Sequence, residues 1–400
     1  MDELGVLLPG WPDVVKEKIY EYLGGIDCDM ICKAVSPLYN IEFNSELIND
    51  CIANNYCKLL KYVYKISQKK KIYNSSFYVM AVEYGNIEMF NLLDLIFTEL
   101  LGYNYTNDIN SSVRLNCLST ACANGKIVML DYLISLCPSD LIGFNLCQYA
   151  VRSNRIEVLE HVIKLGCIPD FATFAAVAST GNNDMLDWLT AHDYYAINSS
   201  AFEGATHSNN LSMIKKLYRI CKSKNIHWKG DNLMHIAASI GNYEIYLWFK
   251  KHKCVIHAGS IESATTGGCL QIMQDIFNSA NASDRAKYFY NMLISAAILG
   301  KATDETTVQI LIWLESIGII NYPNGTMARA ISRNKPITIE YLHAHGCNPG
   351  PNPLQFAIHN GKEMSAIKIA QLYGFTPADL RLAQVTSPPL KQLVDYLLRN

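Results

Sequence analysis

Cysteine and histidine, the side chains that most often bind zinc in proteins, occur in several short groups along this chain. The mixed groups are His252, Cys254, His257 and His343, His345, Cys347. The close cysteine pairs are Cys28/Cys32, Cys51/Cys57 and Cys117/Cys122. No Cys-x2-Cys pair is present, and these spacings do not supply the ligands of a structural zinc site. We therefore predict no metal site and interpret the histidines as loop residues.

The sequence contains no motif for catalysis or for nucleotide binding. It lacks the glycine-rich phosphate loop, the nucleophile elbow, the metalloprotease helix and the kinase signatures. The pairs Gly24–Gly25 and Gly267–Gly268 are interpreted as single turns. We predict that the protein is not an enzyme and that it requires no cofactor.

The composition excludes several classes of partner. The 400 residues carry a formal net charge of -2, so we expect no electrostatic attraction to nucleic acid or to an anionic membrane. No uncharged apolar run approaches the length of about 20 residues that spans a bilayer. Asp2 and Glu3 precede a short, proline-broken apolar stretch that does not resemble a secretion signal. We expect a cytoplasmic protein whose cysteines are reduced and mostly buried.

A repeat in the sequence predicts the helices and turns that position the side chains of this chain. Positions that hold Gly or Asn recur at intervals of 27 to 40 residues, and we call them anchors: Asn55, Gly85, Gly125, Asn154, Gly181, Asn209, Gly241, Gly268, Gly300, Asn334 and Gly361. The residue four positions before the anchor is Ala at nine anchors, and it is Cys51 or Val177 at the other two. A period of this size predicts stacked pairs of helices, which usually present a binding surface.

Residues after the anchors support the same period. At nine anchors, the positions four, five and eight residues later hold apolar side chains, and Thr338 is the one exception. Only 50% of the whole chain is hydrophobic, so chance does not account for this pattern. The spacing places these side chains on one face of an amphipathic helix.

The anchor itself predicts a turn between two helices. Gly and Asn are the residues that most readily adopt the left-handed conformation in which many helices end. Asn often follows the anchor, where it is a good N-cap for the next helix; these residues are Asn86, Asn182, Asn210 and Asn242. Each unit therefore reads as a first helix, a tight turn and a second helix.

Two segments resemble ankyrin repeats: "HIAASIGNYEIYLWFKKHKC", from His235, and "PLQFAIHNGKE", from Pro353. The stretch "AHGCNPGPNPLQFAI" is similar to the loop that connects such repeats. The resemblance implies an all-α, ankyrin-type helical-repeat solenoid with about eleven degenerate, shortened repeats in residues 45–377. Residues 378–400 are predicted to form a C-terminal capping helix pair. The interval before Gly125 and the stretch "KATDETTV" after Gly300 are interpreted as insertions.

Residues 1–44 do not follow the repeat. They resemble an F-box, with a Leu-Pro start, an amphipathic helix ending in Tyr-Leu and a later Val-Ser pair. The resemblance implies docking on the Skp-type adaptor of a cullin ubiquitin ligase through Leu8, Pro9, Ile19, Leu23 and Val35. An equally weighted alternative is a pair of capping helices that closes the stack. F-boxes followed by ankyrin repeats are known from large DNA viruses and intracellular bacteria, which implies a host cytoplasm as the location.

In ankyrin-like stacks, the two residues before each anchor face the concave groove. From these positions we predict a partner-binding row, consisting of Tyr84, Asn124, Arg152, His207, Ile240, Ile298, Leu299, Arg333 and His359. Apolar residues are unexpected in a water-facing row, so we predict a hydrophobic contact between Gly241 and Gly300. A local shift of register that buries these residues is the alternative.

Together these features predict a monomeric adaptor for protein–protein interaction. The repeats would bind a target protein, and the N-terminal segment would recruit ubiquitination machinery, which raises the local concentration of the target near a ligase. The alternative is an ankyrin scaffold or inhibitor with no link to ubiquitin.

Overall fold

The computed structural model describes residues 45–57, 60–61, 64, 74–102, 105, 111–138, 145–257, 259–280, 290–319, 321–386 and 390–399. These residues form 23 α-helices and no β-strand, so the all-α class is confirmed. The F-box-like segment, with Leu8, Pro9, Ile19, Leu23 and Val35, lies outside the described residues.

The chain divides into two compact units, one up to Ile197 and the other from Asn198 onward. The described helices of the first unit are α1 (Ser45–Ala53), α2 (Ser76–Tyr84), α3 (Ile87–Leu101), α4 (Ser111–Ala123), α5 (Ile127–Leu136), α6 (Cys147–Arg152), α7 (Ile156–Lys164), α8 (Phe171–Thr180) and α9 (Asn183–Ala191). Helix α1 contacts α2, and α2, α4, α6 and α8 contact one another in that order. First helices therefore pack on first helices within this unit.

In the second unit, first and second helices also alternate along the chain. Its described helices are α10 (Ser199–His207), α11 (Leu211–Lys224), α12 (Leu233–Ile240), α13 (Tyr243–Lys251), α14 (Ser260–Gly267), α15 (Leu270–Ser279), α16 (Tyr290–Leu299), α17 (Asp304–Ser316), α18 (Thr326–Ser332), α19 (Pro336–Ala344), α20 (Pro353–His359), α21 (Glu363–Tyr373), α22 (Pro377–Val385) and α23 (Lys391–Arg399). The even-numbered first helices contact each other in sequence, and so do the second helices from α13 to α23. The segment predicted to close the stack contains α22 and α23.

The anchors adopt the predicted backbone. Ten of the eleven have positive φ, between 56° at Asn334 and 81° at Gly241. At seven of them the N–H of the next residue donates to the carbonyl of the residue four before the anchor, which closes a Schellman-type turn. These bonds are Tyr56→Cys51, Asn86→Ala81, Lys126→Ala121, Asn210→Ala205, Cys269→Ala264, Lys335→Ala330 and Lys362→Ala357. The predicted helix–turn–helix unit is confirmed at these positions.

The core consists of the two sets of residues that recur at fixed distances from the anchors. Every described residue at the positions four, five and eight after the nine uninterrupted anchors is at most 2% exposed. The small residue four before the anchor is fully buried at all anchors except Gly300. Small side chains let consecutive first helices approach closely, while the large apolar side chains of the second helices fill the layer behind them.

The anchor assigned to Gly300 is wrong: neither Gly300 nor Lys301 has positive φ, and the buried positions of α16 are shifted by one residue. Gly300 lacks the left-handed backbone, and the N–H of Lys301 donates to the carbonyl of Thr266 in a preceding helix, at 2.8 Å. The buried small residue of α16 is Ala297, and Ile298 beside it is fully buried. The prediction that Ile298 belongs to the binding row is therefore wrong, because the local register is shifted and turns this side chain into the core.

Candidate binding surface

The remaining residues of the predicted row lie at the ends of first helices. Ile240 is half-buried, and the other residues of the row are exposed. In the first unit these exposed residues are Tyr84, Asn124 and Arg152, and in the second unit they are His207, Leu299, Arg333 and His359. Arg152 lies over the ring of Tyr149, with 5.5 Å between the guanidinium carbon and the ring centroid. The exposed members thus form chemically varied surfaces on both units.

One concave, mainly apolar cleft of about 470 Å³ lies on the first-helix face of the second unit. Its walls come from α14, α16, α18 and the turn before α18. The lining residues are Glu262, Thr266, Met292, Ser295, Ala296, Leu299, Gly300, Pro323 and Arg329. We call this feature the α16 cleft, because most of its lining belongs to α16 or to the residue that follows it.

The α16 cleft combines exposed apolar side chains with charges on its two sides. Met292 is 48% exposed and Leu299 is 37% exposed, and both line the same cleft. Glu262 comes from α14 and Arg329 from α18, the first helices that contact α16 on either side. An apolar floor with a few charged groups at its edge is the usual chemistry of a pocket that binds a side chain of a ligand.

The sequence prediction found part of this cleft. It predicted a hydrophobic contact between Gly241 and Gly300 and named Leu299, which lines the cleft. It missed Met292 and Arg329, because these residues precede the anchors by a full helical turn or more. The sequence does contain a pattern that indicates them: Met292 lies on the same helix face as Leu299, and Arg329 lies on the same face as Arg333.

A second cleft, of about 730 Å³, lies in the first unit and is polar. It is lined by residues 154–157 and 180–184, at the starts of α7 and α9. Its polar groups already bond to one another: Asn182 donates to Asn154 at 2.6 Å and accepts from the N–H of Met185 at 2.8 Å. These contacts serve the helix ends, so we regard the α16 cleft as the better candidate for a binding site.

The Asn182–Asn154 contact belongs to a recurrent link between helix pairs. We call it a turn–cap pair, because the anchor of one pair meets the residue that follows the anchor of the next. Asn209 likewise accepts from Asn242 at 2.6 Å, and Asn55 accepts from Asn86. The sequence contains both asparagines of each pair, but a left-handed turn at the anchor does not by itself predict a contact with the next helix pair.

Glycine anchors make a different turn–cap pair. A methyl group added at Gly85 would lie 3.1 Å from the Lys126 side chain, and one at Gly125 would lie 3.1 Å from Arg155. The absence of a side chain at these anchors therefore leaves room for the long basic residue that follows the next anchor. Three Asn anchors thus pair with Asn and these two Gly anchors pair with Lys or Arg, whereas the anchor Asn334 accepts from the backbone N–H of Ser365 at 2.9 Å.

One lysine is buried between helix pairs. The Nζ atom of Lys335 donates to Oγ1 of Thr307 at 2.6 Å and to the carbonyls of Ala302 at 3.0 Å and Ala297 at 3.4 Å. Burial lowers the pKa of Lys335, and the nearby carboxylate of Asp304 partly opposes this effect. The amine supplies donors to one carbonyl in the last turn of α16 and to one beyond its end, so its role is structural.

The two mixed histidine–cysteine groups lie at or just after the C-termini of α13 and α19, and the prediction that these histidines are loop residues is wrong for His343, which lies in the last turn of α19. His252 stacks on Trp248 and His345 stacks on Tyr341, with ring centroids 3.9 and 4.2 Å apart. In both cases the histidine Nδ1 contacts the carbonyl of that aromatic residue, at 2.8 and 2.7 Å. Among the residues that the structure describes, no three His, Cys, Asp or Glu side chains are arranged to hold a metal ion.

Within the described residues, none of the helices combines the length and the apolar character that a bilayer crossing requires. The comparisons with known proteins give no assignment: no family model matches this chain, and no curated protein matches it at a significant level. Its function is therefore argued from its own residues.

Proposed function

We propose that this protein is a non-catalytic adaptor of the ankyrin-repeat type, in which stacked helix pairs bind a target protein. The observation that carries the proposal is the α16 cleft, where Met292 and Leu299 remain exposed on the first-helix face. Left-handed turns at regular anchors and first helices that contact first helices within each unit support the repeat architecture.

The lining of the α16 cleft suggests the chemistry of the target segment. A large apolar side chain fits between Met292 and Leu299, where Ala296 and Gly300 leave space. Glu262 on one side favours a basic neighbour in the target, and Arg329 on the other favours an acidic one. The preferred ligand is therefore a short peptide segment with a central apolar residue between opposite charges.

Peptides selected from a random display library against the full chain are expected to contain that pattern. Leu299→Asp should weaken the selected peptides at least tenfold, which corresponds to about 1.4 kcal/mol, because it places a charge in the apolar part of the cleft. The measurement is the Kd by fluorescence anisotropy.

The matched control is Val128→Asp, which changes an exposed apolar residue in the first unit. This variant should bind the selected peptides as the parent does. Selected peptides that bind Leu299→Asp as tightly as the parent chain would overturn the assignment of the cleft.

We further propose that residues 1–44 recruit a Skp-type adaptor, and this part rests on the sequence alone. Purified adaptor should bind the full chain, and the double change Leu8→Ala with Pro9→Ala should abolish binding, because these residues begin the F-box-like motif. The same preparation should retain its helical circular dichroism and its affinity for the selected peptides.

The alternative is a scaffold or inhibitor without a ubiquitin link, in which residues 1–44 only cap the repeats. It predicts no adaptor binding by the parent chain. It also predicts that the double change lowers the urea midpoint, since a cap protects the apolar face of the terminal repeat. The adaptor and the scaffold therefore predict different results for binding of the Skp-type protein and for the urea midpoint.

A further inference from the structure

Residues 211–257 of the second unit are rich in basic side chains. They contain nine of the chain's 34 Lys and Arg residues but only two of its 36 Asp and Glu residues, Asp231 and Glu244. The nine basic residues are Lys215, Lys216, Arg219, Lys222, Lys224, Lys229, Lys250, Lys251 and Lys253. A local concentration of one charge attracts an oppositely charged partner even where the whole chain is close to neutral, at a net charge of -2.

Helix α11 presents a line of cations on its exposed face. Lys215, Arg219 and Lys222 are exposed and are separated by four and three residues, so they lie on one side of the helix. Met213, Ile214, Leu217 and Cys221 are buried on the opposite side. Among the residues that the structure describes, no carboxylate forms an ion pair with any of these three cations. Their charge is therefore available to a partner.

Helix α13 presents an exposed line that is partly apolar. Tyr243, Leu247 and Lys251 recur at intervals of four residues. The two apolar side chains are 37% and 42% exposed, and Lys251 is exposed as well. Lys250 is directed instead to the next helix pair, where its Nζ atom donates to the carboxylate of Asp275 at 2.7 Å. The exposed line of α13 thus combines two apolar side chains with one cation.

An aromatic cluster holds these two lines side by side. The ring of Tyr218, on α11, packs edge-on against Trp248 and His252 at the end of α13, with centroids 5.5 and 4.6 Å apart. Trp228, in the loop after α11, lies 5.8 Å from the ring of Trp248. This contact brings the exposed Lys229 to the same end of α13. We call the resulting surface the basic patch, consisting of Lys215, Arg219, Lys222, Lys229, Tyr243, Leu247 and Lys251.

The rings of this cluster are not open platforms for nucleic-acid bases. Trp228 is 8% exposed, and one face of Trp248 is covered by His252, with centroids 3.9 Å apart. Single-stranded nucleic acid is usually held by stacking of its bases on free ring faces together with backbone charge. The exposed apolar side chains of the patch, Tyr243 and Leu247, instead suit the apolar side chains of a protein segment.

We propose that the basic patch binds an acidic protein segment in which carboxylate and apolar side chains alternate. Along an extended chain, successive side chains point to opposite sides, and every second residue recurs after about 6.6 Å. Lys215 and Arg219 are separated by about 6 Å along α11 at 1.5 Å per residue. An extended segment lying between the two helices therefore directs its carboxylates to α11 and its apolar side chains to α13.

This surface is distinct from the α16 cleft. The patch belongs to the second helices α11 and α13, whereas the cleft is formed by first helices and the turn before one of them. The two surfaces therefore bind different segments, and the basic patch does not depend on the function proposed for the cleft.

The test uses the full chain and a short fluorescein-labelled peptide in which Glu alternates with Leu, with the Kd measured by fluorescence anisotropy. We expect binding that weakens as sodium chloride is added, because salt screens exposed charges. The double change Arg219→Glu with Lys222→Glu should weaken binding at least tenfold. Leu247→Ser should weaken this peptide severalfold and leave a peptide of alternating Glu and Ser unaffected.

The matched control is Arg381→Glu with Lys391→Glu, which changes the net charge equally at two exposed residues of α22 and α23. This variant should bind the Glu–Leu peptide as the parent does, and so should Leu299→Asp in the α16 cleft. The milder change Arg219→Gln with Lys222→Gln replaces the charge reversal if that variant loses helical circular dichroism, and it should still weaken binding severalfold.

Three results would overturn the proposal. The first is parental affinity for the Glu–Leu peptide in the variants at Arg219 and Lys222. The second is an equal loss of affinity in the control at Arg381 and Lys391, which would show an effect of net charge alone. The third is tighter binding of single-stranded oligodeoxythymidylate than of the peptide, which would assign the patch to nucleic acid.

Discussion

Replacing Gly267 by alanine is expected to lower the free energy of unfolding by about 3 kcal/mol. A methyl group at this position would lie 2.4 Å from the carbonyl oxygen of Ala238 and 2.9 Å from that of Ser239. Both atoms belong to the backbone of α12, so no side chain can rotate away. Relief requires that α12 and α14 separate, which disturbs the packing of first helices on either side. The measurement is urea unfolding of the full chain by circular dichroism.

Gly259→Ala is the matched control because Gly259 is the N-cap of the same helix. An added methyl group would meet nothing within 4 Å there, and φ is -66°, which alanine adopts without strain. We expect a change within about 0.5 kcal/mol. Equal effects of the two substitutions would contradict the close approach of α12 and α14.

Asp304→Ala is expected to destabilise the second unit by about 2–3 kcal/mol. The carboxylate of Asp304, at the start of α17, accepts from the N–H groups of Ile337 and Thr338 at 2.6 and 2.8 Å. It also accepts from the hydroxyl of Thr338 at 2.6 Å. Asp304 thus caps α19 from the preceding helix pair, and its loss leaves a fully buried hydroxyl without its acceptor.

The control for Asp304→Ala is Glu244→Ala, an acidic residue in the first turn of α13 that is exposed. It interacts with the helix dipole, so its loss should cost below about 1 kcal/mol. Asp304→Asn should recover part of the stability, because the amide oxygen still accepts. Urea midpoints of the three variants test the cap, and an Asp304→Ala midpoint like that of Glu244→Ala would contradict it.

The repeat could be predicted because it depends on local chemistry. A left-handed turn requires Gly or Asn, and a buried stripe requires apolar residues at helical spacing, so both leave a pattern in the chain. Thr338 broke that pattern without explanation, because its partner Asp304 lies in a different helix pair. Hydrogen bonds between helix pairs depend on which side chains meet across the stack, and a period in one chain does not contain that information.

The binding surface was predicted in part for the same reason. The positions before the anchors identified Leu299 as exposed, but the one-residue shift near Gly300 buried Ile298. Two contacts accompany that shift: the N–H of Lys301 donates to the carbonyl of Thr266, and the buried amine of Lys335 donates to the carbonyl of Ala302. Neither contact has a signature within a single repeat. The cleft itself arises where α14, α16 and α18 meet, which local spacing does not determine.

The turn–cap pairs limit how the order of the modules can be rearranged. The anchor Asn154 accepts from the Asn182 amide of the next module, whereas the anchor Asn334 accepts from the backbone N–H of Ser365. A module that ends in Gly85 instead accommodates the long side chain of Lys126. Shuffling or deleting modules would separate Asn154 from Asn182 and Gly85 from Lys126. Each junction therefore carries its own matching rule, and the succession of modules is specified link by link rather than by one interchangeable consensus.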